Sequence, residues 1–166
     1  MVDFSEAYKE GLEAAKKAEV AKKEIDEVFA DLNRALEKES KGNISIERKR
    51  YVKKGTRKAT GLEYIMGKMF VETKVPYTAI VASNPRYPGI KPKELAEWSQ
   101  DRAGYPCKIS WGNNDHVCED QEALENALAE LLRDPIVGER MIELMKQDYI
   151  RPEKNSNKEG DTSNEE

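Results

Sequence analysis

Histidine occurs once and cysteine twice in this 166-residue chain, and aromatic residues make up only 7 % of it. A single His removes the paired imidazoles of most zinc centres and leaves acid–base chemistry mainly to carboxylates, lysines and tyrosines. The two cysteines have ten residues between them, so no Cys-x-x-Cys pair exists. No run of about 18 apolar residues is present, so no span of a bilayer and no membrane partner is expected. The N-terminus, "MVDFSEAYKEGLEAAKK", has early acids and lacks an apolar core of about ten residues. It reads as no secretory signal, which points to a cytoplasmic protein with reduced thiols. Also missing are a Gly-rich phosphate loop, a G-x-S-x-G elbow and a His pair at helical spacing. No catalytic residue, metal ligand or cofactor is therefore predicted.

What is plentiful is charge, at 36 % of residues against 38 % hydrophobic. That balance predicts a modest core and long solvated helices. The net charge of −4 conceals a polarity. Residues 41–58, "KGNISIERKRYVKKGTRK", hold eight Lys or Arg against Glu47 alone, giving +7, so the rest of the chain sums to −11. Local charge of this kind decides which surface an anionic partner approaches.

The periodicity divides the chain into residues 1–40, a long helix; 41–149, a compact α+β domain; and 150–166, a polar tail. Phe4, Ala7, Gly11, Ala14, Ala18, Ala21, Ile25, Val28, Leu32 and Ala35 alternate by three and four residues, the spacing of a coiled-coil seam. Self-association through residues 4–36 is one expectation. The other is that the helix lies on its own domain, since Tyr8, Leu12, Phe29 and Leu36 widen the stripe. A two-residue alternation follows from Ile44 to Lys53, with Gly55 and Thr56 supplying a turn. Further extended segments are read from Leu62 to Lys74 and, beyond Pro76, in "YTAIVAS". Pro92 is read as opening a short helix that carries Leu95 and Trp98 and ends near Gly104. Two helices close the domain, 121–133 capped by Asp120 and one begun by Pro135. The tail from Arg151 has only Pro152 as an apolar residue and is expected to be disordered. The order predicts an α+β fold: a mainly antiparallel sheet of about four strands, with C-terminal helices packed on one face.

Three stretches carry candidate chemistry. "CKISWGNNDHVC" gathers Cys107, His116 and Cys118. With a turn at Asn113 and Asn114, Trp111 faces His116, Ile109 faces Cys118, and the five residues share one face. A structural hairpin is the reading preferred over a metal or thiol site, because the ligand count is low. In "FVETK", Glu72 and Lys74 share a face, and with an upstream acid such as Glu63 they would match a metal-dependent nuclease pattern. That fragment is too common here to carry weight, and the two are read as surface alternation.

The third stretch, "RKRYVKKGTRK", places seven cations in eleven residues. A twisted ribbon bearing Arg48, Lys49, Arg50, Lys53, Lys54, Arg57 and Lys58 can follow phosphates, and Tyr51 or Tyr64 can stack on a base. The expected function is thus a non-enzymatic binding or regulatory protein for nucleic acid or another polyanion. The alternative is an adaptor or inhibitor of a larger enzyme, of the phage or mobile-element accessory type, with the ribbon facing an acidic protein surface.

Overall fold

A computed structural model describes residues 1–146; the expected disorder of the 150–166 tail lies outside the described residues. The elements are α1 (Phe4–Ser40), β1 (Ser45–Lys58), α2 (Leu62–Ile65), β2 (Phe70–Ser83), β3 (Lys93–Asp101), β4 (Gly104–Trp111), β5 (Asn114–Cys118), α3 (Gln121–Arg133) and α4 (Pro135–Lys146). The five strands form an antiparallel meander in chain order. This is the expected α+β class with one strand more than expected.

That extra strand occupies the stretch read as a helix after Pro92. The Leu95 to Trp98 spacing imitates a helical stripe because a bulge interrupts the β2–β3 ladder: Ile80 pairs with Ala96, but Val81 pairs with Glu94. Leu95 is the unpaired residue, so Leu95, Ala96 and Trp98 are all buried. The register of β1 and β2 corrects two further expectations. Gly55 makes no turn; it sits mid-strand opposite Thr73, where an added Cβ would lie 2.8 Å from Val75 Cγ2. The chain turns instead beyond Lys58, through Gly61 and Gly67, both with positive φ. Pro76 does not separate two strands. It lies inside β2 opposite Val52, beyond the reach of β3, whose pairing starts at Thr78. With no second neighbour there, its missing N–H breaks no ladder.

One face of the sheet is covered. Ile46, Ile80, Ala82, Ala96, Trp98 and Ile109 meet Ile25, Val28 and Phe29 of α1, Leu124, Leu128 and Leu131 of α3, and Val137 and Leu144 of α4. Asp120 caps α3 by accepting from the Ala123 N–H at 2.8 Å, and Asp134 caps α4 by accepting from the Ile136 N–H at 2.8 Å. Asn33 fastens α1 to β1, its side chain donating to the Ile46 carbonyl and accepting from the Ile46 N–H, each at 2.7 Å.

Helix and ribbon both outrun this core. From Asn33 beside Ile46, through Asp26 beside Arg48, to Ala21 against Gly104, α1 advances toward its N-terminus as β1 advances toward its C-terminus. Both therefore leave the sheet at the end marked by the β3–β4 turn. Gly104 permits the crossing, because a Cβ there would lie 2.6 Å from the Ala21 Cβ, and its φ is +97°. The first seventeen residues are all exposed, including Phe4, Tyr8 and Leu12. The bulky end of the seam, Ile25 and Val28, packs on the molecule's own sheet. Beyond Thr78, β1 and β2 pair only with each other. From Arg50 to Lys58 this free ribbon extends by roughly 26 Å at about 3.3 Å per residue.

Candidate nucleic-acid interface

Alternation sorts the predicted cations onto two faces of the ribbon. Arg48, Arg50, Lys54 and Lys58 share the parity of Ile46, which faces α1. Lys49, Tyr51, Lys53 and Arg57 occupy the other side.

On that other side the charges are largely answered. Lys53 Nζ lies 2.7 Å from Glu97 Oε1 and 4.9 Å from the centre of the Tyr77 ring. Arg57 holds Glu63 with two hydrogen bonds, Nη1 to Oε2 at 2.9 Å and Nη2 to Oε1 at 2.8 Å. Those bonds, with a contact from the Thr60 N–H, keep the Glu63 carboxyl below its usual range and raise the Arg57 guanidinium. Tyr51 leans on Tyr77 with ring centroids 5.9 Å apart, and the Tyr77 hydroxyl donates to Glu94 Oε2 at 2.9 Å. That hydrogen bond raises the Tyr77 pKa. A groove of about 830 Å³ runs along this face, lined by Tyr51, Tyr77, Glu94, Glu97 and Trp111. Lys91, Lys93 and Arg140 also line it; Lys93 is paired with Glu143 at 2.8 Å and Arg140 donates to the Glu94 carbonyl, which leaves Lys91 as its one base without an ion pair or hydrogen bond among the described residues. Lys49 alone among the predicted cations of this side has no ion pair within the described residues.

The helix-facing side differs. Arg48, at its base, is absorbed by the fold: its guanidinium pairs with Asp26 and lies 4.5 Å from the Phe29 ring centre and 5.3 Å from that of Trp98. Further out, Arg50, Lys54 and Lys58 make no ion pair among the described residues. Lys54 is directly opposite Lys74, a like-charge cross-strand neighbour of the kind that destabilises a bare sheet. Glu72 is the single acid of this side of the ribbon. Toward the base, Lys22 from α1 and Arg102 from the β3–β4 turn join Arg48 and Arg50 around a groove of about 560 Å³, which also holds Asp101.

The ladder thus divides the eight predicted residues. Lys49, Arg50, Lys54 and Lys58 remain open to a ligand, Tyr51 leans on Tyr77, and Arg48, Lys53 and Arg57 are engaged within the chain. Lys22, Lys74 and Arg102 went unpredicted. Lys74 could have been found by pairing "FVETK" with "RYVKKG" across the hairpin, whereas Lys22 and Arg102 depend on the helix crossing and carry no local signal.

The other two stretches assemble less. Glu72 and Lys74 do share a face, but Glu63 is held by Arg57, and no group of three or more His, Cys, Asp or Glu among the described residues could hold a metal ion. In the β4–β5 hairpin, Trp111 pairs with Asn114, Ile109 with His116 and Cys107 with Cys118. The turn is Gly112–Asn113, with Gly112 at φ +57°, rather than Asn113–Asn114. The pairing moves by two residues, which preserves the face of every side chain. His116 stacks on Trp111 at 4.1 Å, and its Nδ1 lies 3.5 Å from Glu130 Oε2 of α3. Cys118 donates weakly to the His116 carbonyl at 3.8 Å, not to its ring. Burial pushes the Cys107 thiol up to about 12 and raises Cys118 as well, the opposite of a poised nucleophile. No helix among the described residues is long and apolar enough to cross a membrane. No protein-family model, no curated protein and no solved structure matches the chain.

Proposed function

We propose that this is a non-enzymatic nucleic-acid-binding or regulatory protein, cytoplasmic and oligomeric, that holds a phosphate backbone along the helix-facing side of its free ribbon. The observation that carries the reading is the Lys54–Lys74 pair, two cations set opposite each other without an intervening acid. Together with Arg50 and Lys58 they form a row that has no internal use. Such a row is unfavourable until an anion lies along it. The oligomer would use the exposed part of the α1 seam, Phe4 to Ala14, since Ile25 and Val28 are occupied. An adaptor or inhibitor, with an acidic protein surface on the same cations, is the second reading, favoured by the exposed Phe4, Tyr8 and Leu12.

Titration of labelled single- and double-stranded DNA and RNA at several salt concentrations separates the two. Four cations on phosphates give a slope of log affinity against log salt near −3.6, taking about −0.9 per contact for a duplex. Replacing Arg50, Lys54, Lys58 and Lys74 together with Ala should abolish most of that slope. The absence of any complex at about 50 mM salt would refute the nucleic-acid reading.

A further inference from the structure

The outer end of the ribbon carries an apolar cluster. Leu62, Tyr64, Ile65, Met66, Met69 and Phe70 lie within nine residues and are each between 62 and 79 % exposed. Solvated loop tips are ordinarily polar, and a contiguous exposed apolar group of this kind marks a contact surface. The cluster is held on a pinned turn. The Arg57–Glu63 pair ties it to β1, the Lys68 N–H donates to the Glu63 carbonyl at 3.1 Å, and the Ala59 N–H donates to the Met69 carbonyl at 3.0 Å. Order spent on exposed apolar side chains makes sense if they enter something as a body.

What they enter is indicated by the cations beneath them. Lys58 sits opposite Phe70, Lys54 opposite Lys74, and Arg50 opposite Thr78, with Glu72 opposite Thr56 the one acid between them, so a net positive charge extends along roughly 26 Å of ribbon at about 3.3 Å per residue. An anionic bilayer offers its charge in a headgroup layer of only about 5–8 Å on each side, so a ribbon inserted tip first would leave most of that row unused. A nucleic-acid duplex offers charge continuously along its length. We infer that the ribbon lies along a duplex and drives its apolar tip, led by Ile65 and Met66, between base pairs as a wedge that bends the helix. Apolar side chains inserted in this way unstack a base step and kink the duplex. This inference rests on the nucleic-acid reading above and names its substrate as double-stranded.

The test uses the full chain and a duplex of about 30 base pairs with a dye at each end, read by energy transfer for bending and by anisotropy for affinity. Wild type should shorten the end-to-end distance. Ile65→Ser with Met66→Ser, both on exposed side chains, should bind roughly three- to tenfold more weakly with an unchanged salt slope and should not bend the duplex. Lys54→Ala with Lys58→Ala should lose affinity and slope together. Circular dichroism matching wild type establishes that both variants are folded. Binding without bending, or bending that survives the tip substitutions, overturns the wedge and leaves the nucleic-acid reading standing. No binding to any nucleic acid overturns both, and sedimentation with phosphatidylserine vesicles in that case would identify the tip as a membrane contact instead.

Discussion

The two ends of the β1–β2 ladder are built from the same strands in one unbroken register, yet they are different materials. At the inner end, Ile46 and Ile80 are 2 % and 0 % exposed beneath α1. At the outer end, on the same parity, Val52 is 61 % exposed and Lys54 confronts Lys74. Backbone pairing is identical, so the ladder itself does not determine burial. The difference lies in what crosses the strands. Alternation assigns a face, and only the crossing of α1, α3 and α4 decides whether that face is core or contact surface.

The sharpest way to break this comparison is to make the same kind of deletion at both ends. Ile80→Ala leaves a cavity in a close-packed region and should destabilise the fold by about 2–5 kcal/mol. Val52→Ala should change stability by less than about 0.5 kcal/mol, as substitutions away from packed contacts do. Denaturant midpoints with unchanged m-values report both. Similar losses at the two sites would mean that the outer ribbon is packed against something in solution, such as a second copy.

The boundary between the ends falls at Arg48, and it also marks where the sequence stops being legible. The basic run, the alternation around it and the two C-terminal helices, one capped by Asp120 and one begun by Pro135, were visible as patterns, because each depends on neighbours within a few residues. The strand after Pro92 was not, since a bulge gave Leu95 and Trp98 a helical spacing. Nor was the role of Gly55, which reflects the crowding of Val75 and Thr73 from the opposite strand rather than a turn. The division of the cations was hidden for the same reason. Arg48, Arg50 and Lys54 look equivalent along the chain, and only the position of Phe29 and Trp98 across the helix crossing makes the first structural.

That distinction predicts a crossed pattern of intermediate size. Arg48→Ala removes a guanidinium packed on two aromatic faces, so it should lower stability by about 1–2 kcal/mol. Any affinity for nucleic acid should stay within about twofold, since that group is already occupied within the chain. Lys54→Ala should do the reverse, leaving stability within about 0.5 kcal/mol and reducing the magnitude of the salt slope by about one contact. Thermal melts and anisotropy on the two variants check this. A binding loss at Arg48 equal to that at Lys54 would erase the boundary.

The effect smallest at neutral pH probes the inner end through its chemistry and emerges only in alkali. Cys107 and Cys118 face each other under α3 with 1 % exposure each, and burial opposes formation of either thiolate. Alkylation of the native protein at about pH 8 should therefore be slow, and should become fast on unfolding. The stability consequence has a definite sign. The Cys107 thiol is raised from an ordinary value of 9.0 to about 12, so between those values the native chain keeps a proton that the unfolded chain has released. Stability must then fall as pH rises from about 9 towards about 12, and be unaffected by this group below that window. Cys107→Ala compared with wild type by denaturant unfolding at several alkaline pH values isolates the contribution from that of the lysines. An unchanged pH slope in the variant, or rapid labelling of the native thiols, would show that water reaches this part of the sheet and that its interior is less closed than that around Ile80.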